Sequence, residues 1–369
     1  MTIYLLVLAL ALAPRPSRHR VISPVPAPGS ACTLARPGAA VSINVAASAS
    51  GKVAAMRPGN AAGILRPVAD VPLPGRPVRF DYQSLDTTSG QLYISHMDDG
   101  HVVAFDTRGR RVSGDVADAP RVTGVWAVPR LHKLYASVTG HHHVAVIDLP
   151  ALTVRATPGP IGFPDGIADA PGVERIFVSD ESAGHELVID GATDKVITTI
   201  PLGGEAGNTK YDVGSGCILV AVQTLNQVVA IDPARAAVVG RFALARASHP
   251  HGMYVDAANR MLYVANEGNA TVEAVDLRKL QVTDIEPVGD GPDVLAFDPA
   301  WHRLFVATES GGLWVYRVSG QQLAPAGVLD LPHAHTVAVD AARHEVYLPL
   351  QSLDGHPMLR ILAETQPKP

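Results

Sequence analysis

Histidine and aspartate recur in this sequence at a spacing that could hold a metal ion. The pairs His249-x-His251 and His333-x-His335 stand 84 residues apart, and Asp293 lies midway, 42 residues from both His251 and His335. On an extended strand, residues i and i+2 face the same side, so both members of a pair could point at one ion. Imidazole with carboxylate suits zinc, copper, nickel or iron(II) better than calcium. His251, His335 and Asp293 are the first ligand candidates, and Asp81 is the fourth. The competing reading is that these groups hydrogen-bond neighbouring loops or channel water.

A set this widely spaced needs a scaffold that repeats. An aromatic or bulky apolar residue recurs at Tyr93, Tyr135, Phe177, Leu219, Tyr263, Phe305 and Tyr347, in steps of 42 residues with a single step of 44. A second register runs through Asp106, Asp148, Asp190, Asp232 and Asp276. A period of roughly 40–45 residues with several short strands per unit predicts a β-propeller, here all-β with seven blades of four antiparallel strands. Repeat five is the clearest copy. Met253–Val255, Met261–Ala265, Thr271–Val275 and Val282–Glu286 read as strands, separated by Gly, Asn and Asp turn clusters. The recurrent aromatics should pack between blades, each burial being worth about 1.5–3 kcal/mol. The recurrent aspartates suit turns, where a carboxylate accepts local backbone N–H groups.

The last repeat ends after its third strand. Val71-Pro-Leu-Pro-Gly75 matches the fourth-strand ending Ile200-Pro-Leu-Gly-Gly204, so residues 64–73 should supply the missing outer strand and close the ring. The propeller then spans 64–363, with a tail at 364–369. Residues 14–63, rich in Pro, Ala, Ser and Gly, read as a linker. Ile3–Ala13 is too short to span a bilayer but fits the apolar region of a secretory signal, so a secreted or periplasmic protein is expected. Only two cysteines are present, Cys32 in the linker and Cys217 at a strand entry. The expectation is no disulfide framework, with Cys217 an inert, half-buried residue.

The pattern Pro-x-Gly-x-x-x-Asp, then Leu-Tyr-Val-Ala-Asn at 262–266, then Thr-Val-x-x-Val-Asp at 271–276 resembles the YncE-like, or YVTN-repeat, family of seven-bladed propellers. Leu92-Tyr-Ile-Ser and Leu134-Tyr-Ala-Ser are degenerate copies. The resemblance covers residues 64–363 and implies an exported propeller, with lactonases and quinoprotein dehydrogenase subunits as relatives by fold. It implies no particular reaction.

Counting twelve residues back from each marker gives the residue entering each first strand: Asp81, Thr123, Asp165, Gly207 (with Asn208 beside it), His251, Asp293 and His335. First strands line the channel of a propeller, so these residues should ring its mouth. Eleven of the fifteen histidines map to the same face or its rim. His132, His302 and His344 share one position in opposite-face turns, three residues before the marker. Second-strand ends add Glu267 and Glu309, either of which could serve as general base toward a metal-bound water.

The formal charge of −5, with no basic run inside the repeats, argues against a nucleic-acid partner. No Gly-x-Ser-x-Gly elbow, P-loop or Cys-x-x-Cys-His haem motif is present. The expectation is therefore a monomeric binding or interaction module, taking a small molecule or a protein at its channel mouth. The alternative is a metal-dependent hydrolase, lactonase or lyase at the same place.

Overall fold

The computed structural model describes residues 32–34, 60–244 and 246–366. The signal-like segment and most of the linker lie outside them. Seven sheets of four antiparallel strands follow one another along the chain, and the first strand of each touches the first strands of both neighbours, which closes a ring. Blade 5 has strands Pro250–Asp256, Met261–Asn266, Thr271–Asp276 and Gln281–Pro287, each slightly longer than its predicted run. No helix among the described residues is long and apolar enough to cross a membrane.

The marker residues explain how the blades adhere. All seven are buried, and each packs into an apolar cluster shared with the following blade. Tyr135 of blade 2 lies with Ile167, Ile176 and Val178 of blade 3, and Phe177 lies with Ile218 and Val220 of blade 4. Tyr347 closes the circle by packing with Leu92 and Phe105 of blade 1. Four of the five recurrent aspartates do turn work, Asp148 instead accepting from Arg155. Asp106 accepts from the backbone N–H groups of Arg108 and Gly109, and Asp190, Asp232 and Asp276 repeat the pattern.

The last blade is closed as the sequence implies. Leu65–Pro72 runs antiparallel to His356–Glu364, pairing Leu65 with Glu364 and Pro72 with Met358. The edge that blade 7 would otherwise expose is thereby paired.

The cysteines overturn the expectation made for them. Cys217 is fully buried and forms a disulfide with Cys32, across 185 residues of sequence. Thr33 N–H donates to Ser215 O at 3.0 Å, and Leu34 packs over Gly240, where a β-carbon would stand 2.4 Å from the Leu34 side chain. This short piece is therefore docked on blade 4. The repeat gave no warning, because Cys32 lies outside it and has no equivalent in any other blade.

Candidate functional site

The ring positions are presented by a local break in the sheet. In blades 2 to 6 the pairing of the first strand with the second is irregular, between Val122 and Val125, Pro164 and Ile167, Ala206 and Thr209, Pro250 and Met253, and Pro292 and Leu295. The residues skipped are Thr123, Asp165, Gly207 with Asn208, His251 and Asp293, each with its following neighbour. A bulge frees a residue from the ladder and re-aims its side chain, here toward the channel. Glycine follows in three of these blades because the next blade presses close. A β-carbon at Gly252 would stand 1.5 Å from Asp293 O, and one at Gly124 2.0 Å from Asp165 O.

Six of the seven predicted residues meet in one buried network, in which Asp293 is the hub. Its Oδ1 lies 2.9 Å from His251 Nδ1 and its Oδ2 lies 2.9 Å from His335 Nε2. His251 Nε2 faces Asp165 Oδ2 at 3.5 Å, and His335 Nε2 faces Asp81 Oδ1 at 3.4 Å. Thr123 is the exception, since its hydroxyl donates to Pro164 O at 2.7 Å and is used up on the neighbouring backbone.

Two residues missing from the prediction complete the network. The Tyr82 hydroxyl stands between Asp293 Oδ1 at 3.3 Å and Asp165 Oδ2 at 3.4 Å, and it accepts from Asn208 Nδ2 at 3.0 Å. It fills the channel, at a position where blades 2, 3 and 5 carry Gly124, Gly166 and Gly252. A tyrosine interrupting that glycine column was the available signal. Arg79 is the second, with Nη2 3.0 Å from Glu309 Oε1 and 3.1 Å from His335 Nε2. One nitrogen cannot both donate to Asp293 and accept from Arg79. The carboxylates around His335 favour its protonated form, so the proton points at Asp293 and Arg79 is satisfied by Glu309.

The electrostatics follow from burial opposed by opposite charge. Burial alone would discharge the imidazoles, but Asp293 and Asp165 hold His251 well above its usual range, and Asp293 and Asp81 push His335 up to about 10. Despite its own burial, Asp293 is held well below the usual carboxylate range by His251 and His335. Burial raises Asp81, and burial with the three aspartates keeps the Tyr82 phenol protonated.

Above this network lies a rim of carboxylates. Glu267 Oε1 is 3.6 Å from His251 Nδ1, and Glu309 Oε1 is 3.7 Å from His335 Nδ1. Burial pushes Glu267 and Glu181 up to about 7, with Asp293 adding to the first and Asp165 to the second. Asp180, another second-strand end, is spent on the backbone N–H groups of Gly162 and Phe163. His96 is stacked on Phe80 at 4.0 Å. Two overlapping sets have atoms close enough to hold one ion: Asp81, Asp293 and His335, and His251, Glu267 and Asp293. The four predicted ligands are thus divided between two sets that share Asp293.

No family model and no curated protein matches the chain. Among solved structures, a chain of Kuenenia stuttgartiensis hydrazine synthase is similar, with a TM-score of 0.66 over 80% of this chain and 97% of that one, at 14% identity. This protein is a seven-bladed β-propeller. At that identity the likeness speaks for the propeller fold alone, and the function must be argued from the mouth.

Proposed function

We propose that this chain is an exported, YncE-like propeller that acts as a binding module, taking a positively charged ligand or partner group at its channel mouth. The observation that carries this reading is the excess of carboxylates there. Among the described residues, Asp81, Asp165, Asp293, Glu181, Glu267 and Glu309 face four groups that can be cationic, Arg79, His251, His335 and, from the other side, Lys210. The inner groups are paired with one another and Glu309 with Arg79, which leaves Glu181 and Glu267 as the unbalanced charge, and a cation would relieve their repulsion from Asp165 and Asp293 beneath. Export is supported by the signal-like run Ile3–Ala13 and by the Cys32–Cys217 bridge, since disulfides persist chiefly in oxidising compartments.

The second reading is a metal-dependent hydrolase, lactonase or lyase, favoured by the two three-residue sets that share Asp293. Zinc, copper, nickel or iron(II) would suit these donors and would supply a Lewis acid. For an ion held by Asp81, Asp293 and His335, Glu267 is then the better general base, because it titrates near neutrality while Glu309 is engaged by Arg79.

Metal content of the untagged full chain, measured by mass spectrometry beside a His251→Ala/His335→Ala double variant, separates the two. About one ion per chain, lost in a variant that stays folded, supports the metalloenzyme. No ion after reloading with the four metals removes that reading. A thermal-shift screen of organic cations and basic peptides then tests the binding module. Stabilisation that disappears in Glu181→Gln/Glu267→Gln supports it, and a screen in which no cation stabilises the chain sinks it.

A further inference from the structure

The opposite end of the channel holds a cavity of about 660 Å³, lined in part by the same Tyr82 whose hydroxyl joins the polar network. First-strand residues of all seven blades line it, and its walls are mainly apolar and aromatic, with Gln83, Ser84, Arg130, Asp169 and Lys210 as the polar groups besides the tyrosines. Most of those polar groups are already engaged. Arg130 is ion-paired with Asp169, and Gln83 Nε2 donates to Thr336 Oγ1 at 3.3 Å. Lys210 is different. Its ammonium has no ion pair or hydrogen bond among the described residues and lies 5.6 Å from the centre of the Trp126 ring. Burial pushes its pKa down to about 8, although Asp165 and Asp293 pull the other way.

A cavity of this size with one convergent charge is the usual form of a small-molecule site. An ammonium half-withdrawn from water into apolar surroundings is destabilised until an anion joins it. Trp126, Tyr211 and Tyr254, from blades 2, 4 and 5, line the cavity with aromatic surface against which a flat apolar body can lie. We propose that this opposite-face cavity binds a small organic anion, a carboxylate or sulfonate on a flat apolar skeleton, with Lys210 as its counter-ion. The proposal is distinct from the reading of the mouth, because Tyr82 stands between the polar network and this cavity and the ligand proposed here carries the opposite charge.

The test uses the full chain and two fluorescent probes of similar shape, anionic 1-anilinonaphthalene-8-sulfonate and uncharged N-phenyl-1-naphthylamine. The expected result is saturable binding of the anionic probe at one site per chain. Lys210→Met should weaken it about tenfold or more, while affinity for the uncharged probe stays within about twofold. Lys210→Arg, which keeps the charge, should retain the preference and guards against a misfolded methionine variant. Glu267→Gln, at the mouth, should change neither probe. The proposal is overturned if the anionic probe does not saturate, if Lys210→Met binds it as the parent does, or if both probes weaken equally in folded Lys210→Met.

Discussion

Asn208 Nδ2 donates to the Tyr82 hydroxyl at 3.0 Å, joining blades 4 and 1 across the middle of the channel. That contact places one phenol in the middle of the polar network, while its ring lines the cavity on the opposite face. Removing the hydroxyl strands Asn208 in a buried position and deprives Asp165 and Asp293 of a donor. Tyr82→Phe should therefore cost about 1–3 kcal/mol in urea unfolding. A double-mutant cycle with Asn208→Ala should show non-additivity, whereas additive losses would mean that the contact carries no energy of its own.

The His335 imidazole gives the protein a dependence on alkaline pH. Its folded pKa of about 10 lies above the ordinary 6.5, so the stabilisation it brings is fully present below about pH 6.5 and is lost as pH rises through 10. Unfolding free energies between pH 6 and 10.5 should fall, and His335→Gln should flatten much of that decline. A parent and variant that decline in parallel would show that His335 is not paired as described.

How much of this was readable beforehand depended on whether a residue obeys the repeat. Tyr93 through Tyr347 obey it, so the blades, their packing order and the closing strand at 65–72 were all legible. Asp81, Asp165, His251, Asp293 and His335 obey it too, and counting from the markers placed them in one network. Thr123 was placed in the ring by the same count, but a count cannot tell that its hydroxyl prefers Pro164 O. Tyr82 was missed because it departs from the glycine that three of its six equivalents carry, and a departure is visible only once the column is laid out. Cys32 has no equivalents, and its pairing with Cys217 depends on where a non-repeating segment docks.

That bridge alters what truncation should do. Cys32→Ser should lower stability by about 2–5 kcal/mol, chiefly through the freedom restored to a long unfolded loop. A chain starting at Gly63 loses the same bridge and should match Cys32→Ser under non-reducing conditions while staying folded. A chain starting at Pro74 also loses the strand Leu65–Pro72 and exposes the edge of His356–Glu364, so aggregation is expected. Size-exclusion chromatography distinguishes the three. A monodisperse chain from Pro74 would show that the closing strand is dispensable.

The opposite-face turns permit a contrast between two chemically identical residues. The position three before each marker is left-handed in every blade, with φ of 53° at His132 and 55° at His344, and glycine already occupies it at Gly90 and Gly216. A left-handed conformation costs a non-glycine residue roughly 1 kcal/mol, so at exposed His132 replacement by glycine should raise stability by about 0.5–1 kcal/mol. His344 has partners that oppose this gain. Its Nδ1 lies 2.5 Å from Asp298 Oδ2 across the blade 6–7 boundary, and its ring stacks on Trp301 at 3.6 Å. His344→Gly gives up the hydrogen bond to Asp298 and the stacking for the same backbone relief and should destabilise by about 1–2 kcal/mol net. Chemical denaturation of the two variants should move in opposite directions. Equal shifts would mean that backbone conformation alone governs this position and that the His344–Asp298 contact does not clasp the last two blades together.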